Sequence, residues 1–274
     1  MNIKNILPLD GLMIGLSGAI PERSTWQNQA LDYEILNFVR TFSGLVMKYG
    51  GVIVHGAHPA FSPILLKQAK RHYRNDGTYP LHLVMSNLWA KEYSDSELEF
   101  YEQYSDLTIT RQVGKGSVTD STTINDSLSC MRKKLIPKMD LFIAIGGKLH
   151  SDSEIIPGVE EEYQLAKLHN IPCIMLPALE GKASDITPSG SWIESIINDD
   201  FDCKLPSNIE GICSYHNLTL ENIFSYFNKY DLPRVTNIDI EDIGMYPSAL
   251  FNYCIQYRRI IQMMQDIAQK HCDS

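Results

Sequence analysis

The sequence has no long basic run, and acidic residues outnumber basic ones. There are 33 Asp and Glu against 24 Lys and Arg, a formal net charge of −9. That balance and the missing basic run argue against a nucleic-acid backbone as main partner. No apolar run approaches the ~20 residues that a membrane helix needs, so no membrane association is expected. A targeting segment is also missing. Pro8 and Asp10 interrupt the apolar stretch from Ile6 to Leu16, and no clean small-residue cleavage site follows. The six cysteines (Cys130, Cys173, Cys203, Cys213, Cys254 and Cys272) are scattered, with no C-x-x-C pair and no metal-ligand spacing. Such thiols fit a reducing compartment, and Cys173, inside an apolar run, reads as a small core residue. The expected location is the cytoplasm.

Several reaction classes lack their signatures. There is no G-x-S-x-G elbow, which excludes a typical serine hydrolase. Gly114-Lys115-Gly116-Ser117 lacks the upstream glycine of a phosphate loop and reads as a mobile loop, or a lid. No G-x-G-x-x-G follows a strand, which argues against hydride transfer. His55 and His58 form H-x-x-H, but no third ligand stands at a recognisable spacing, so no metal is expected. No cofactor is implied, and there is no internal repeat or low-complexity tract.

What is present is an ordinary globular composition, 44% hydrophobic and 21% charged over 274 residues. Such a chain can bury one large core with a smaller appendage. Short apolar runs at Leu12–Leu16, Val52–Val54, Leu81–Met85, Leu107–Thr110, 141–145 and Ile171–Leu176 alternate with helical periodicity. The helices are expected over 26–49, around 64–69, 97–104, 125–136 and 160–169. Ser24 and Gln27 make a capping box for the first of them. This alternation predicts a doubly wound α/β fold, a Rossmann-like parallel sheet with helices on both faces. Ligands of such sheets bind beyond the carboxyl ends of the strands. Here those ends are Ser17-Gly18, His55-Gly56, Ser86-Asn87 and Gly146-Gly147.

Past about residue 195 the strand signals fade. The expected division is 1–195 for nucleotide binding and 196–274 for a helical C-terminal region. Helices are expected over 220–230 and 247–270. The second places Leu250, Cys254, Tyr257, Ile261, Met264 and Ala268 on three- and four-residue steps. A face so apolar must be covered, by its own domain or by a partner chain, and cover within the monomer is the preferred reading.

The most informative stretch is 141–166. Leu141-Phe142-Ile143-Ala144-Ile145 ends in Gly146-Gly147, and Pro157-Gly158 then opens a helix headed by Glu160-Glu161-Glu162. Glycines after a buried strand let backbone approach a ligand, and a helix N-terminus offers N–H groups to an anion. A carboxylate in the first turns then faces whatever the glycines hold. The bland alternative is that Glu160 and Glu161 complement the helix dipole and face solvent, and it should hold for at least one of them.

The order strand, Gly-Gly, loop, Pro-Gly-x-x-x-Glu, helix follows a helix bearing Met131-Arg132-Lys133-Lys134 and an earlier strand ending in His55-Gly56. In this it resembles the SLOG superfamily of Rossmann-like nucleotide-binding proteins across roughly residues 10–190. That group includes the lonely-guy phosphoribohydrolases, DNA-processing protein A, the ADP-ribose-binding region of some TRPM channels and ligand sensors of bacterial antiviral systems. The lonely-guy pattern P-G-G-x-G-T-x-x-E, with its upstream Arg-Lys, implies Arg132 and Glu162 as the catalytic pair. It implies Gly146, Gly147 and Gly158 as phosphate-cradling glycines. Two departures stand out: residues 148–156 split the glycine loop, and Val159 replaces the motif threonine.

Other ligand contacts expected at the strand ends are Ser17, Gly18, His55, Gly56, His58 and Asn87, with Lys148 and Glu161 beside the glycines. The alternatives are a plain tight turn at Ser17-Gly18 and one packed, one solvated histidine. Trp89 could face a base, but core is the preferred reading. The resemblance implies a nucleotide, NAD or ADP-ribose-derived ligand. It implies either hydrolysis of the ligand's N-glycosidic bond or non-catalytic sensing in antiviral defence, and a homo-oligomer with or without a partner effector protein.

Overall fold

Leu141-Phe142-Ile143-Ala144-Ile145-Gly146 is buried at every residue because helices cover both faces of the strand it forms. The structure is a computed structural model that describes residues 7–21, 29–150, 156–176 and 179–186, with 247, 250, 251, 254, 255, 257, 258 and 262. Among the described residues six strands run in chain order: β1 (Met13–Ala19), β2 (Val52–His55), β3 (Leu81–Ser86), β4 (Asp106–Thr110), β5 (Leu141–Gly146) and β6 (Cys173–Leu176). Every pairing is parallel, and the order across the sheet is β4-β3-β2-β1-β5-β6. The chain therefore winds one way from β1 to β4 and returns to β5 on the other side of β1. That reversal leaves a crevice beyond the strand ends at β1 and β5.

Among the described residues the helices that flank the strands are α1 (Gln29–Lys48), α2 (Ser62–His72), α3 (Asn87–Ala90), α4 (Asp95–Tyr104), α5 (Ser121–Leu135), α6 (Gly158–Leu168) and, after β6, α7 (Gly181–Asp185). Side chains alternate across the sheet with the strand period of two. On one face Ile14, Leu16, Ile53, Ile143 and Ile145 pack with Phe38, Phe42 and Val46 of α1 and Leu65 of α2. On the other, Val54, Val84, Phe142 and Ala144 pack with Met131 and Leu135 of α5 and Val159 and Ala166 of α6. The expected doubly wound α/β architecture is what the chain adopts.

Caps account for some of the shifted boundaries. The α5 helix starts at Ser121, four residues before its expected start, because the Asp120 side chain accepts from the Thr123 N–H at 2.9 Å. The Ser86 hydroxyl accepts from the Leu88 N–H at 3.2 Å and turns the end of β3 into the four-residue α3. Neither α3 nor α7 is long enough to carry a helical period, so neither was expected.

Leu250, Cys254 and Tyr257 are helical and belong to the same buried core as α1 and β1. Phe251 packs on Tyr49 with ring centroids 5.0 Å apart. The Tyr257 hydroxyl donates to the Asp140 carbonyl at 3.1 Å, and Arg258 Nε donates to the Asp10 carbonyl at 2.8 Å. Cover within the chain is thus found for these positions. The Ser24–Gln27 capping box and the helix over 220–230 lie outside the described residues, as does most of the region 196–274.

Candidate functional site

The carboxyl ends of β1, β2, β3 and β5 open into one cleft of about 550 Å³. It gathers Ser17 and Gly18 from the end of β1, and His55, Gly56 and His58 from the end of β2 and the turn that follows it. Gly147 and Lys148 reach it from β5, Arg132 from α5, and Gly158 and Glu162 from α6. Residues separated by more than a hundred positions meet there because parallel strands deliver all their ends to one edge.

Glu162 stands in the second turn of α6 against Arg132, with Arg132 Nε 3.4 Å from Glu162 Oε1. Their side chains are only 12% and 11% exposed. Burial raises the Glu162 pKa above the ordinary glutamate value, and the Arg132 charge opposes that rise without cancelling it. The Ser17 hydroxyl lies near enough to favour the ionised carboxyl. It nevertheless makes no hydrogen bond of normal geometry, and its oxygen is buried. A buried hydroxyl without a partner is costly, and one at the floor of a cleft is positioned to meet a ligand.

The three successive glutamates have three different surroundings, as expected from 100° steps around a helix. Glu160 pairs with Lys182 at 3.4 Å, and Lys182 also bonds Asp185 at 2.6 Å. Glu161 accepts from Ser129 at 2.5 Å and from Arg132 Nη1. Only Glu162 lines the cleft. Glu161, expected as a ligand contact, instead anchors the arginine from behind.

Gly158 makes room for that arginine. A Cβ at this position would lie 2.5 Å from Arg132 Nη2, so a larger residue here would push the guanidinium from its place against the start of α6. No side chain caps α6. Its first turn, from Pro157 to Val159, lines the cleft, where first-turn N–H groups lack intrahelical acceptors. Arg132 Nη2 and these N–H groups together favour an anion.

The glycine pair behaves differently from expectation. The Gly147 N–H donates to the Ala19 carbonyl at 2.8 Å, so it has no hydrogen left for a phosphate. The Val159 side chain occupies the space where a Gly147 Cβ would project, 2.5 Å away. Gly146 does not line the cleft. Its φ of +61° and the Ala19 carbonyl, 2.5 Å from a hypothetical Cβ, explain the glycine as a chain crossing.

His55 is fully engaged. Its Nδ1 donates to the Leu16 carbonyl at 2.7 Å, and its Nε2 accepts from the His58 N–H at 3.1 Å. Burial lowers its pKa to about 4, so it is neutral and has no lone pair left for a metal. His58 Nδ1 accepts from the Ala60 N–H at 3.2 Å, which leaves Nε2 as the donor of its neutral ring. Burial, and then the Lys148 charge, lower the His58 pKa. Among the described residues no cluster of His, Cys, Asp and Glu could hold a metal ion.

Asn87 is the third expected contact that does not face the cleft. It is exposed in the first turn of α3, where the Ser86 cap has rotated it outward. Trp89, for which core was preferred, is half-buried, belongs to neither core cluster and lines the cleft. Tyr93, Ser121, Asn125 and His150 also line it and had no sequence signal of their own. Trp89 and Tyr93 could have been found together as aromatics four residues apart after a strand end. The loop containing Gly114–Ser117 does not line the cleft. It is tied to α5, with Gly116 N donating to Thr123 Oγ1 at 3.1 Å and Val113 N to Ser127 Oγ at 3.0 Å. No helix among the described residues is long and apolar enough to cross a membrane.

No curated protein matches the chain. The crystal structure of TM1055, a structural-genomics target, is similar with a TM-score of 0.39 and 14% identity, over 64% of this chain and 79% of that one. The family profile described as SLOG cluster 2 matches residues 22–189, more than half of the sequence and every strand from β2 to β6. The chain belongs to the SLOG cluster 2 family.

Proposed function

We propose that the cleft binds a nucleotide, NAD or ADP-ribose-derived small molecule and hydrolyses its N-glycosidic bond. The observation that carries this reading is Glu162, a buried carboxyl of raised pKa held beside Arg132 and the unpartnered Ser17 hydroxyl. Breaking a C–N glycosidic bond sends its electron pair to the base and leaves positive charge on the sugar ring. The Glu162 carboxylate faces that charge and orients the water that adds to the anomeric carbon. The water's proton passes through Glu162 to the departing base nitrogen, so acid and water are both restored or consumed in balance. A carboxyl with a raised pKa suits such a two-way transfer. Arg132 Nη2 and the start of α6 take the ligand's phosphate.

A non-catalytic sensor, such as one signalling in antiviral defence, is the second reading. Val159 favours it, since its buried side chain stands where the lonely-guy pattern has a phosphate-binding hydroxyl.

Incubation with NAD, ADP-ribose, AMP and ATP, followed by chromatography and thermal shift, tests both. Release of a free base, lowered about 10²–10³-fold in Glu162→Gln while ligand binding persists, is the expected result. A melting shift with no product from any compound would select the sensor. Neither shift nor product would reject the nucleotide reading.

A further inference from the structure

The cleft is chemically divided. Its polar end, at β1, β5 and α6, holds Ser17, Arg132, Gly158 and Glu162. Its other end lies beyond β3, where Trp89 and Tyr93 stand opposite Ile124, Leu128 and Met131 of α5. The last three fall at four- and three-residue steps, so they form one stripe of α5 facing the cleft. The described residues cover this apolar end only in part. Trp89, Tyr93, Ile124 and Leu128 are all only half-buried.

The aromatic pair is also held in place. Ser86 caps α3 beneath Trp89, and Tyr93 meets Tyr101 edge-on with ring centroids 5.6 Å apart. The Ser86 hydroxyl accepts from the Leu88 N–H, which leaves its own proton for another acceptor in the cleft. From β1 to β3 is two strand spacings, about 10 Å. That span fits a sugar at Glu162 with a planar ring reaching toward β3.

We propose that Trp89 and Tyr93 form the base subsite, stacking a planar heteroaromatic ring against the Ile124-Leu128-Met131 stripe. The inference rests on the nucleotide reading above and adds the residues that select the base. The polar end then holds sugar and phosphate, and the scissile bond lies at the boundary between the two halves. Specificity for a base over an aliphatic group resides in α3, not in the glutamate-bearing helix.

Trp89 reports on its own occupancy once the other two tryptophans, Trp26 and Trp192, are replaced by Phe. The probes are formycin 5′-monophosphate, an AMP isostere whose C-glycosidic bond resists hydrolysis, and ribose 5-phosphate, which lacks a base. Formycin monophosphate should quench Trp89 emission and ribose 5-phosphate should not. In the otherwise unchanged chain, Trp89→Ala should weaken formycin monophosphate by roughly 10–100-fold. It should leave ribose 5-phosphate binding unchanged, which also shows that the variant is folded. Trp89→Phe should retain most of the affinity. Formycin monophosphate binding equally well to Trp89→Ala would overturn the base subsite while leaving the nucleotide reading intact. Binding of neither probe would overturn both.

Discussion

Glu162 ionises against the energetic cost of burial, which the nearby Arg132 charge offsets only in part. An acid whose native pKa exceeds its unfolded value binds its proton more tightly when folded. Its contribution to stability is complete below the unfolded value, about 4.3, and is lost as pH rises through the native value. Glu162→Gln removes the titration. Its melting temperature should match wild type near pH 4 and exceed it increasingly toward pH 8. A constant difference across that range in thermal melts would show that Glu162 ionises at no cost to the fold. The identity of this residue was legible only through the resemblance, because three adjacent glutamates look alike in sequence. What separates them is the rotation of α6 relative to α5, a packing result no local pattern encodes.

At the scale of elements, α5 and α6 form a clamp. Glu161 of α6 holds Ser129 and Arg132 one turn of α5 apart, and Glu162 receives the other side of the guanidinium. Of the two carboxylates of the clamp, Glu161 holds Arg132 without lining the cleft. Glu161→Ala should therefore lower AMP affinity about tenfold by calorimetry and destabilise the fold by about 1–3 kcal/mol. Glu161→Gln, which keeps an acceptor for Ser129 or Arg132, should recover part of the affinity. An Ala variant that binds AMP as wild type does would show that Arg132 needs no such anchor.

The same scale shows what periodicity could and could not reveal. All six strands were evident as bounded apolar runs, since a doubly covered sheet demands them. The α3 helix was not, because a four-residue helix set by one serine cap leaves no period. Missing it misdirected Asn87 and hid the orientation of Trp89.

Across the described residues, the cleft and the contacts of Phe251, Tyr257 and Arg258 lie at opposite ends of the sheet. Tyr257 and Arg258 bond the carbonyls of Asp140 and Asp10, which precede β5 and β1, and Phe251 packs on Tyr49 just before β2. The cleft begins where those strands finish, four to seven residues on, or about 13–23 Å away. The apolar steps at Leu250, Cys254 and Tyr257 made a covered face legible, but nothing in them said which end of the sheet would cover it. Tyr257 is 1% exposed, so Tyr257→Ala should cost about 3–5 kcal/mol in denaturant melts. Tyr257→Phe keeps the packing and loses the bond to Asp140, for about 1 kcal/mol. Measuring AMP affinity in the Phe variant then separates the two functional readings at this scale. A hydrolase whose C-terminal segment only completes the core should bind AMP within about twofold of wild type, well below a typical allosteric coupling of 5–150-fold. A larger change would mean that occupancy of the cleft is felt at the far end of the sheet. That is the coupling a sensor needs and a simple hydrolase does not.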